Sequence, residues 1–127
     1  MVSGGFINYI RIIFDKYSIE MEAPVYASKL IFQENSIKVD FLHDIVPEAC
    51  HQDFGICGNC KYKIINKYKK EGYFIIYIGD GLTDRCAAET ADIILAKKGK
   101  SLAAYCRQQD FNFYIFKNFR EVPSILE

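Results

Sequence analysis

The chain has 127 residues, of which 50% are hydrophobic and 25% are charged, a size and composition typical of one folded domain and unlike a disordered segment. Its 16 basic and 16 acidic side chains cancel, so we expect neither a nucleic-acid partner nor a membrane partner. Since no apolar run approaches the roughly 20 residues that span a bilayer, no basic region opens the chain and the five cysteines are odd in number, we expect a cytoplasmic protein without a signal peptide or a disulfide scaffold.

The first part of the chain is predicted to contain strands, one helix and a hairpin. Residues 6–17 carry apolar side chains at helical spacing, and the β-branched and aromatic clusters on either side of Glu34-Asn35-Ser36 are typical of a hairpin. In chain order the elements are a strand stub at Met1-Val2, a turn at Ser3-Gly4-Gly5, a helix at 6–17, a strand at 25–28 and a hairpin of 29–33 with 37–41.

Helices and strands alternate in the rest of the chain, after an irregular segment at 43–60 that carries cysteines. The predicted elements are helices at 61–71, 83–91 and 101–109 and strands at 74–78, 93–95 and 113–116. The strand at 74–78 is almost continuously apolar, as in parallel sheets that are covered on both faces. This alternation predicts a layered α/β fold with a parallel sheet, in which ligands bind beyond the carboxyl ends of the strands.

Two aspartates lie in a glycine turn at the end of the strand at 74–78. In Gly79-Asp80-Gly81-Leu82-Thr83-Asp84 the glycines allow a tight turn, and Thr83 is suited to capping the next helix. Asp80 and Asp84 would then face one point, and Mg²⁺ typically takes one or two carboxylates together with a substrate phosphate. The alternative interpretation is a solvated connection, for which Gly, Asp and Thr are common residues.

Two further features are suited to binding a phosphate. Ser3-Gly4-Gly5 lies between the strand stub and the first helix, where a hydroxyl and unpaired N–H groups bind an anion, and an ordinary helix cap is the alternative. Lys61 opens a helix after the irregular segment, where its ammonium group would stabilise phosphoryl charge, and a solvated surface lysine is the alternative.

The order of these features resembles the haloacid dehalogenase superfamily of phosphatases. Val2-Ser3-Gly4-Gly5 is similar to the second motif of that family, Lys61 to its third and Gly79-Asp80-Gly81-Leu82-Thr83-Asp84 to its fourth. The segment Cys57-Gly58-Asn59-Cys60-Lys61 is similar to a subgroup near phosphoserine phosphatase, which includes the 2-hydroxy-3-keto-5-methylthiopentenyl-1-phosphate phosphatase. The resemblance spans nearly the whole chain.

The resemblance implies a Mg²⁺-dependent hydrolase that removes phosphate from a small phosphorylated metabolite. The matching positions imply a phosphate site of Ser3, Gly4, Gly5 and Lys61 and a Mg²⁺ site of Asp80 and Asp84. The family's aspartate nucleophile and its general acid, which lie in a DxDGT-type motif on the first strand, have no counterpart in this sequence. The family's helical cap domain has no counterpart either.

By this resemblance, residues 1–127 are expected to form a single domain, the C-terminal part of a Rossmann-like core. Its three-layer parallel sheet, with helices on both faces, would lack the first strand. Such a fragment is expected to be inactive alone, and its unpaired strand edges favour self-association or pairing with a separately encoded N-terminal half that carries the nucleophile and the cap. The alternative functions are a non-catalytic module that binds phosphate and metal, and a zinc-stabilised interaction module.

Cys50, His51, Cys57 and Cys60 form a further candidate site. Three thiolates and an imidazole are suited to structural zinc, and the C-x-x-C half has the usual ligand spacing. The gap between Cys50 and Cys57 is unusual for zinc, so reduced thiols are the main alternative and a redox or disulfide pair is another. Zinc at this position would brace the loop before Lys61 and would take no part in catalysis.

Overall fold

The computed structural model describes residues 1–42 and 59–127. The described residues form two compact units, and each unit is built around a sheet of three strands. The first unit contains residues 1–42 and 59–60, and the second contains Lys61–Glu127. The expectation of a single domain over residues 1–127 stays a prediction.

The first unit has a mixed sheet in the order β1-β2-β3. Its elements are β1 (Val2–Phe6), α1 (Ile7–Lys16), β2 (Tyr26–Gln33) and β3 (Ser36–Asp40). β1 is parallel to β2, and β2 is antiparallel to β3 with Gln33 opposite Ser36. The predicted hairpin is therefore present, and Glu34-Asn35 forms its turn.

A partly buried side-chain amide joins the first helix to its sheet. The Asn8 side chain donates to the Leu30 carbonyl oxygen at 3.2 Å and accepts from the Leu30 N–H at 2.8 Å. This pair of hydrogen bonds satisfies both polar groups of the Leu30 backbone, as a neighbouring strand would. No residue of α1 is buried, and Ile12 and Ile13 are more than half exposed.

The second unit has a parallel sheet in the order β4-β5-β6. Its strands are β4 (Ile76–Gly79), β5 (Ile93–Lys97) and β6 (Tyr114–Phe116). Its helices are α2 (Lys61–Lys70), α3 (Arg85–Ala88), α4 (Ser101–Gln108) and α5 (Val122–Leu126), with 3-10 turns at Leu82–Asp84 and Phe119–Glu121. Among the described residues, β4 pairs with β5 alone.

Side chains of the second unit pack on both faces of its sheet. Along β5, Ile94 and Ala96 enter one cluster of buried side chains while Leu95, between them, enters the other. The larger cluster consists of Tyr77, Ala87, Ala88, Ile94, Ala96, Leu102, Ala103 and Cys106, and the smaller of Leu95, Phe116 and Val122. Because α3 and α4 cover one face and α5 the other, the predicted α/β fold class with a parallel sheet is confirmed.

Several boundaries differ from the prediction. The turn predicted at Ser3-Gly4-Gly5 is wrong, since these residues lie within β1, whose first and last residues pair with β2. The helix predicted at 83–91 is a 3-10 turn followed by the short α3. The strand at 25–28 and the first strand of the hairpin are one strand, β2, and α5 was not predicted.

The helices of the described residues are too short or too polar to cross a membrane.

Candidate functional site

The loop after β4 is held between the Asp84 side chain and the start of α4. A Cβ at Gly79 would lie 2.9 Å from the Asp84 carboxyl carbon and 2.9 Å from Leu102 Cδ2, so no larger residue fits here without movement. The Asp80 carbonyl oxygen accepts from the Leu102 N–H at 3.0 Å. The glycine at the end of β4 is therefore needed for close packing, and the loop that follows has a defined conformation.

Asp84 is the most connected side chain of this loop. It is 3% exposed, and its Oδ2 accepts from the backbone N–H groups of Asp80 at 2.9 Å and Gly81 at 2.8 Å. Its Oδ1 accepts from the Tyr77 hydroxyl at 2.8 Å and from the Lys61 ammonium group. Since a carboxylate offers about four acceptor positions, protein donors occupy all of them.

Lys61 reaches this carboxylate from the first position of α2. Its ammonium group forms an ion pair with Asp84 and lies 3.4 Å from Thr83 Oγ1. The Lys61 side chain is 13% exposed, so the cation is held at the surface of the loop with restricted access to water. Asp84 and Thr83 thereby fix the direction in which Lys61 points.

The environment of Asp84 keeps its carboxyl group ionised. Burial raises the pKa of Asp84. The hydrogen bond from Lys61, the N–H of Gly81, the charge of Lys61 and the Tyr77 hydroxyl together lower it by more, so the pKa lies below its ordinary value. A charged carboxylate beside Lys61 is therefore the resting state at neutral pH.

Asp80 differs from Asp84 in its surroundings. Its side chain is exposed, and no described residue donates a hydrogen bond to its carboxylate. An exposed carboxylate at the end of a strand fits a Mg²⁺ ion that keeps several waters, whereas the filled acceptor positions of Asp84 do not fit direct coordination. No group of three or more potential metal ligands occurs among the described residues. The assignment of Mg²⁺ to Asp80 and Asp84 stays a prediction.

The predicted phosphate segment, residues 3–5, belongs to the first unit. Ser3 Oγ accepts from the Gly5 N–H at 3.1 Å, and the Ser3 carbonyl oxygen accepts from Asn59 Nδ2 at 2.6 Å. Gly4 and Gly5 are exposed, and no side chain approaches within 4 Å of the position of a Cβ at Gly4. The structure thus brings Lys61, Asp80 and Asp84 together within the second unit, while the phosphate role of residues 3–5 stays a prediction.

Two polar residues of these networks were not predicted. Tyr77 lies in an apolar strand and gives no sign in the sequence that its hydroxyl, inside a buried cluster, reaches Asp84. Asn59 lies in the quoted Cys57-Gly58-Asn59-Cys60-Lys61 segment, but an asparagine next to a glycine is ordinarily a turn residue. Only the fold shows that both side chains are hydrogen-bonded and buried.

Most of the predicted zinc site lies outside the described residues. Cys50, His51 and Cys57 fall in the segment that the structure does not describe. Cys60 is buried and forms no disulfide with another described cysteine. The zinc prediction is therefore untested.

Several of the known proteins to which this chain is similar are named as phosphatases. The chain is 31% identical to the 2-hydroxy-3-keto-5-methylthiopentenyl-1-phosphate phosphatase of Lysinibacillus sphaericus, covering 100% of this chain and 54% of that protein. It is 31% identical to the polyol phosphate phosphatase PYP1 of Saccharomyces cerevisiae, over 77% and 48%, and 26% identical to the Pdp3-interacting factor 1 of Schizosaccharomyces pombe, over 100% and 55%. No family model matches. The chain spans about half the length of the curated relatives it matches.

Proposed function

We propose that this chain, which belongs to the haloacid dehalogenase superfamily, supplies the phosphate-binding and metal-binding side of a Mg²⁺-dependent phosphomonoester hydrolase. It is related to phosphatases over most or all of its length. The relatives named as phosphatases support the reaction class. One observation in the structure carries the proposal: a buried carboxylate, Asp84, holds the Lys61 cation and the Asp80 turn together beyond the end of β4. Ligands of parallel α/β sheets bind beyond such strand ends.

The proposed roles follow from the charge and exposure of each side chain. Lys61, fixed by Asp84, would stabilise the negative charge on a phosphoryl group, and the Ser3 hydroxyl would donate a hydrogen bond to a phosphoryl oxygen. Asp80, whose carboxylate accepts from no described residue, would hold Mg²⁺, and the ion when bound supplies further neutralisation of phosphate charge. Asp84 would contribute by fixing the loop and Lys61 rather than by direct coordination.

The attacking group is proposed to come from residues outside this sequence, on a longer chain or on a second one. The family's DxDGT-type motif is absent from the 127 residues, and without its aspartate no phosphoryl-enzyme intermediate forms. The substrate is proposed to be a small phosphorylated metabolite, by analogy with the relatives that are named for such compounds.

Complementation tests the proposal directly. The chain would be mixed with the part of the Lysinibacillus sphaericus phosphatase that it does not cover, and also fused to it, and p-nitrophenyl phosphate hydrolysis would be followed with and without Mg²⁺. The chain alone should show no turnover and the complemented preparation Mg²⁺-dependent turnover. Lys61→Ala in the complemented preparation should lower kcat by about 10²–10³, the usual cost of one charge-stabilising donor.

The outcomes separate the proposal from its alternatives. Turnover by the chain alone that disappears in Asp80→Asn would show that the attacking group lies within these residues. A folded complemented preparation that binds Mg²⁺ and phosphate without turnover would favour a non-catalytic binding module. Zinc bound at about one ion per purified chain would favour the zinc-stabilised interaction module.

A further inference from the structure

Asn59 is a buried polar residue to which neither the motifs nor the proposed chemistry assigns a role. Its side chain is 2% exposed and lies two residues before Lys61 in the sequence. Asn59 Nδ2 donates to the Ser3 carbonyl oxygen at 2.6 Å, and its Oδ1 accepts from the Ser28 hydroxyl at 3.0 Å. Ser28 is also 2% exposed, so both partners of this amide are fixed within the first unit.

The segment that Asn59 contacts is irregular. The pairing of β1 with β2 advances from Val2 to Phe6 on one strand but only from Tyr26 to Ser28 on the other, so residues 3–5 are bulged out of the regular ladder. A bulge leaves backbone groups without their regular partners. Asn59 supplies a donor to the Ser3 carbonyl oxygen, and this bond sets the conformation in which the bulge is held.

We propose that Asn59 is the positioning residue of the phosphate segment: its amide, held on its other side by Ser28, keeps residues 3–5 in the conformation that receives a phosphate. The inference rests on the proposed function, since it assumes that Ser3 and the glycines after it bind phosphate. The Ser3 carbonyl oxygen can only accept, so Nδ2 must face Ser3 and Oδ1 is left to accept from the Ser28 hydroxyl, which gives the amide one orientation.

The chemistry of the amide gives a discriminating set of variants. Asn59→Asp keeps an acceptor for Ser28 but places a second oxygen against the Ser3 carbonyl oxygen, which would repel it. Asn59→Ala removes both bonds, and Ser28→Ala removes only the bond at Oδ1, which holds the amide from its other side. Ser36→Ala is the matched control, because it also removes one serine hydrogen bond, to Gln33 at 2.9 Å, in the exposed hairpin turn of the same unit.

The experiment is a titration of the isotope-labelled full chain with inorganic phosphate, followed by the amide resonances of Gly4 and Gly5 and by their hydrogen-exchange rates without phosphate. Asn59→Ala and Asn59→Asp should weaken phosphate binding about tenfold and speed exchange at Gly5, as expected for loss of one or two buried hydrogen bonds. Ser28→Ala should weaken binding about threefold and Ser36→Ala not at all. Lys61→Ala should weaken binding while leaving exchange at Gly5 unchanged.

The results of this titration decide whether Asn59 positions residues 3–5 and whether these residues bind phosphate. Phosphate binding by Asn59→Ala as tight as that of the unmodified chain would overturn the positioning role and leave the proposed function standing. If the unmodified chain shows no phosphate-dependent shift at Gly4 or Gly5, the phosphate role of residues 3–5 is overturned, and unchanged exchange rates in Asn59→Ala would then overturn the positioning role as well. Should the Asn59 variants fail to fold, Ser28→Ala against Ser36→Ala provides the same comparison: equal binding by these two would overturn the inference.

Discussion

At residue scale, the site depends most on Asp84, whose single carboxylate accepts four hydrogen bonds. Asp84→Asn replaces one acceptor oxygen by a donor and leaves the nearly buried Lys61 without its counter-charge. We expect it to lower the free energy of unfolding by about 2–4 kcal/mol, somewhat below the usual cost of breaking a fully buried pair because Lys61 keeps some contact with water. Urea denaturation at pH 7 measures this change.

The matched control is Asp80→Asn. It alters the neighbouring carboxylate, which is exposed and has no described hydrogen-bond donor, so the free energy of unfolding should change by less than about 0.5 kcal/mol. Mg²⁺ binding should nevertheless weaken in this variant. Equal destabilisation by the two substitutions would contradict the distinction between a positioning aspartate and an open one.

The same carboxylate predicts a pH dependence. Since the pKa of Asp84 is lower in the folded chain than in the unfolded chain, where it is about 3.9, its contribution to stability is complete well above pH 4 and is lost as the pH falls through the folded value. The difference in unfolding free energy between the unmodified chain and Asp84→Asn should therefore be constant from pH 6 to 7 and shrink towards pH 3. A difference that stays constant to pH 3 would argue against a lowered pKa.

The sequence predicted which residues of the site have charge and where the turn lies, but not which aspartate is buried. In Gly79-Asp80-Gly81-Leu82-Thr83-Asp84 the two aspartates have the same chemistry, and both suit a cation. The difference arises from the 3-10 turn Leu82–Asp84, which directs the Asp84 side chain back under the loop to the N–H groups of Asp80 and Gly81. That direction depends on tertiary packing against Tyr77 and α2, which periodicity does not report.

At the scale of elements, long periodic segments were predicted well and short ones were not. α2 and α4 begin at the predicted residues, because an apolar period of helical length is a local feature of the sequence. β1 was predicted too short, as a strand stub at Met1-Val2, because Ser3-Gly4-Gly5 is typical of a turn and the pairing of Phe6 with β2 is non-local. α5 was missed because Pro123 suggests a break, although proline is well tolerated in the first turn of a helix.

The contact between α4 and the end of α3 gives a second pH prediction. Burial raises the pKa of Tyr105 to about 12, with further contributions from the hydrogen bond to Glu89 and its charge. Because the pKa is raised on folding, this contribution to stability is complete below the unfolded value of about 10 and is lost as the pH rises towards 12. The difference in unfolding free energy between the unmodified chain and Tyr105→Phe should thus be constant from pH 8 to 9.5 and shrink above pH 10.

Chemical denaturation over this pH range is the measurement. Tyr105→Phe should cost about 1 kcal/mol at pH 8, the usual value of one hydrogen bond to a charged acceptor at a partly exposed site. Tyr114→Phe, which removes a hydroxyl without a hydrogen-bond partner among the described residues, should cost less than about 0.5 kcal/mol at pH 8. A Tyr105→Phe difference that grows above pH 10 would have the wrong sign.

At the scale of the whole molecule, the parallel sheet of the second unit has an edge strand, β4, with no neighbour on its outer side among the described residues. Among the described residues, β4 pairs only with β5, and Ile76 and Ile78 on this strand are 42% and 36% exposed. Edge strands are usually protected by charged residues or proline, but the segment from Tyr73 to Gly79 carries neither. An apolar strand with unpaired backbone groups tends to pair with another strand, so the purified chain should self-associate as its concentration rises.

Ile76→Lys tests this edge, because a lysine there adds the charge that natural edge strands use against association. Sedimentation velocity between about 5 and 500 µM, a range wide enough to reveal weak association of the micromolar class, should show a concentration-dependent shift for the unmodified chain and a smaller one for Ile76→Lys. Leu126→Lys is the control, since Leu126 is 39% exposed, similar to Ile76, but lies in α5 and not on a strand edge. A monomer at every concentration, or equal effects of the two lysines, would show that the β4 edge does not drive association. Pairing with a segment that carries the nucleophile would then remain as the explanation for an apolar strand at this edge.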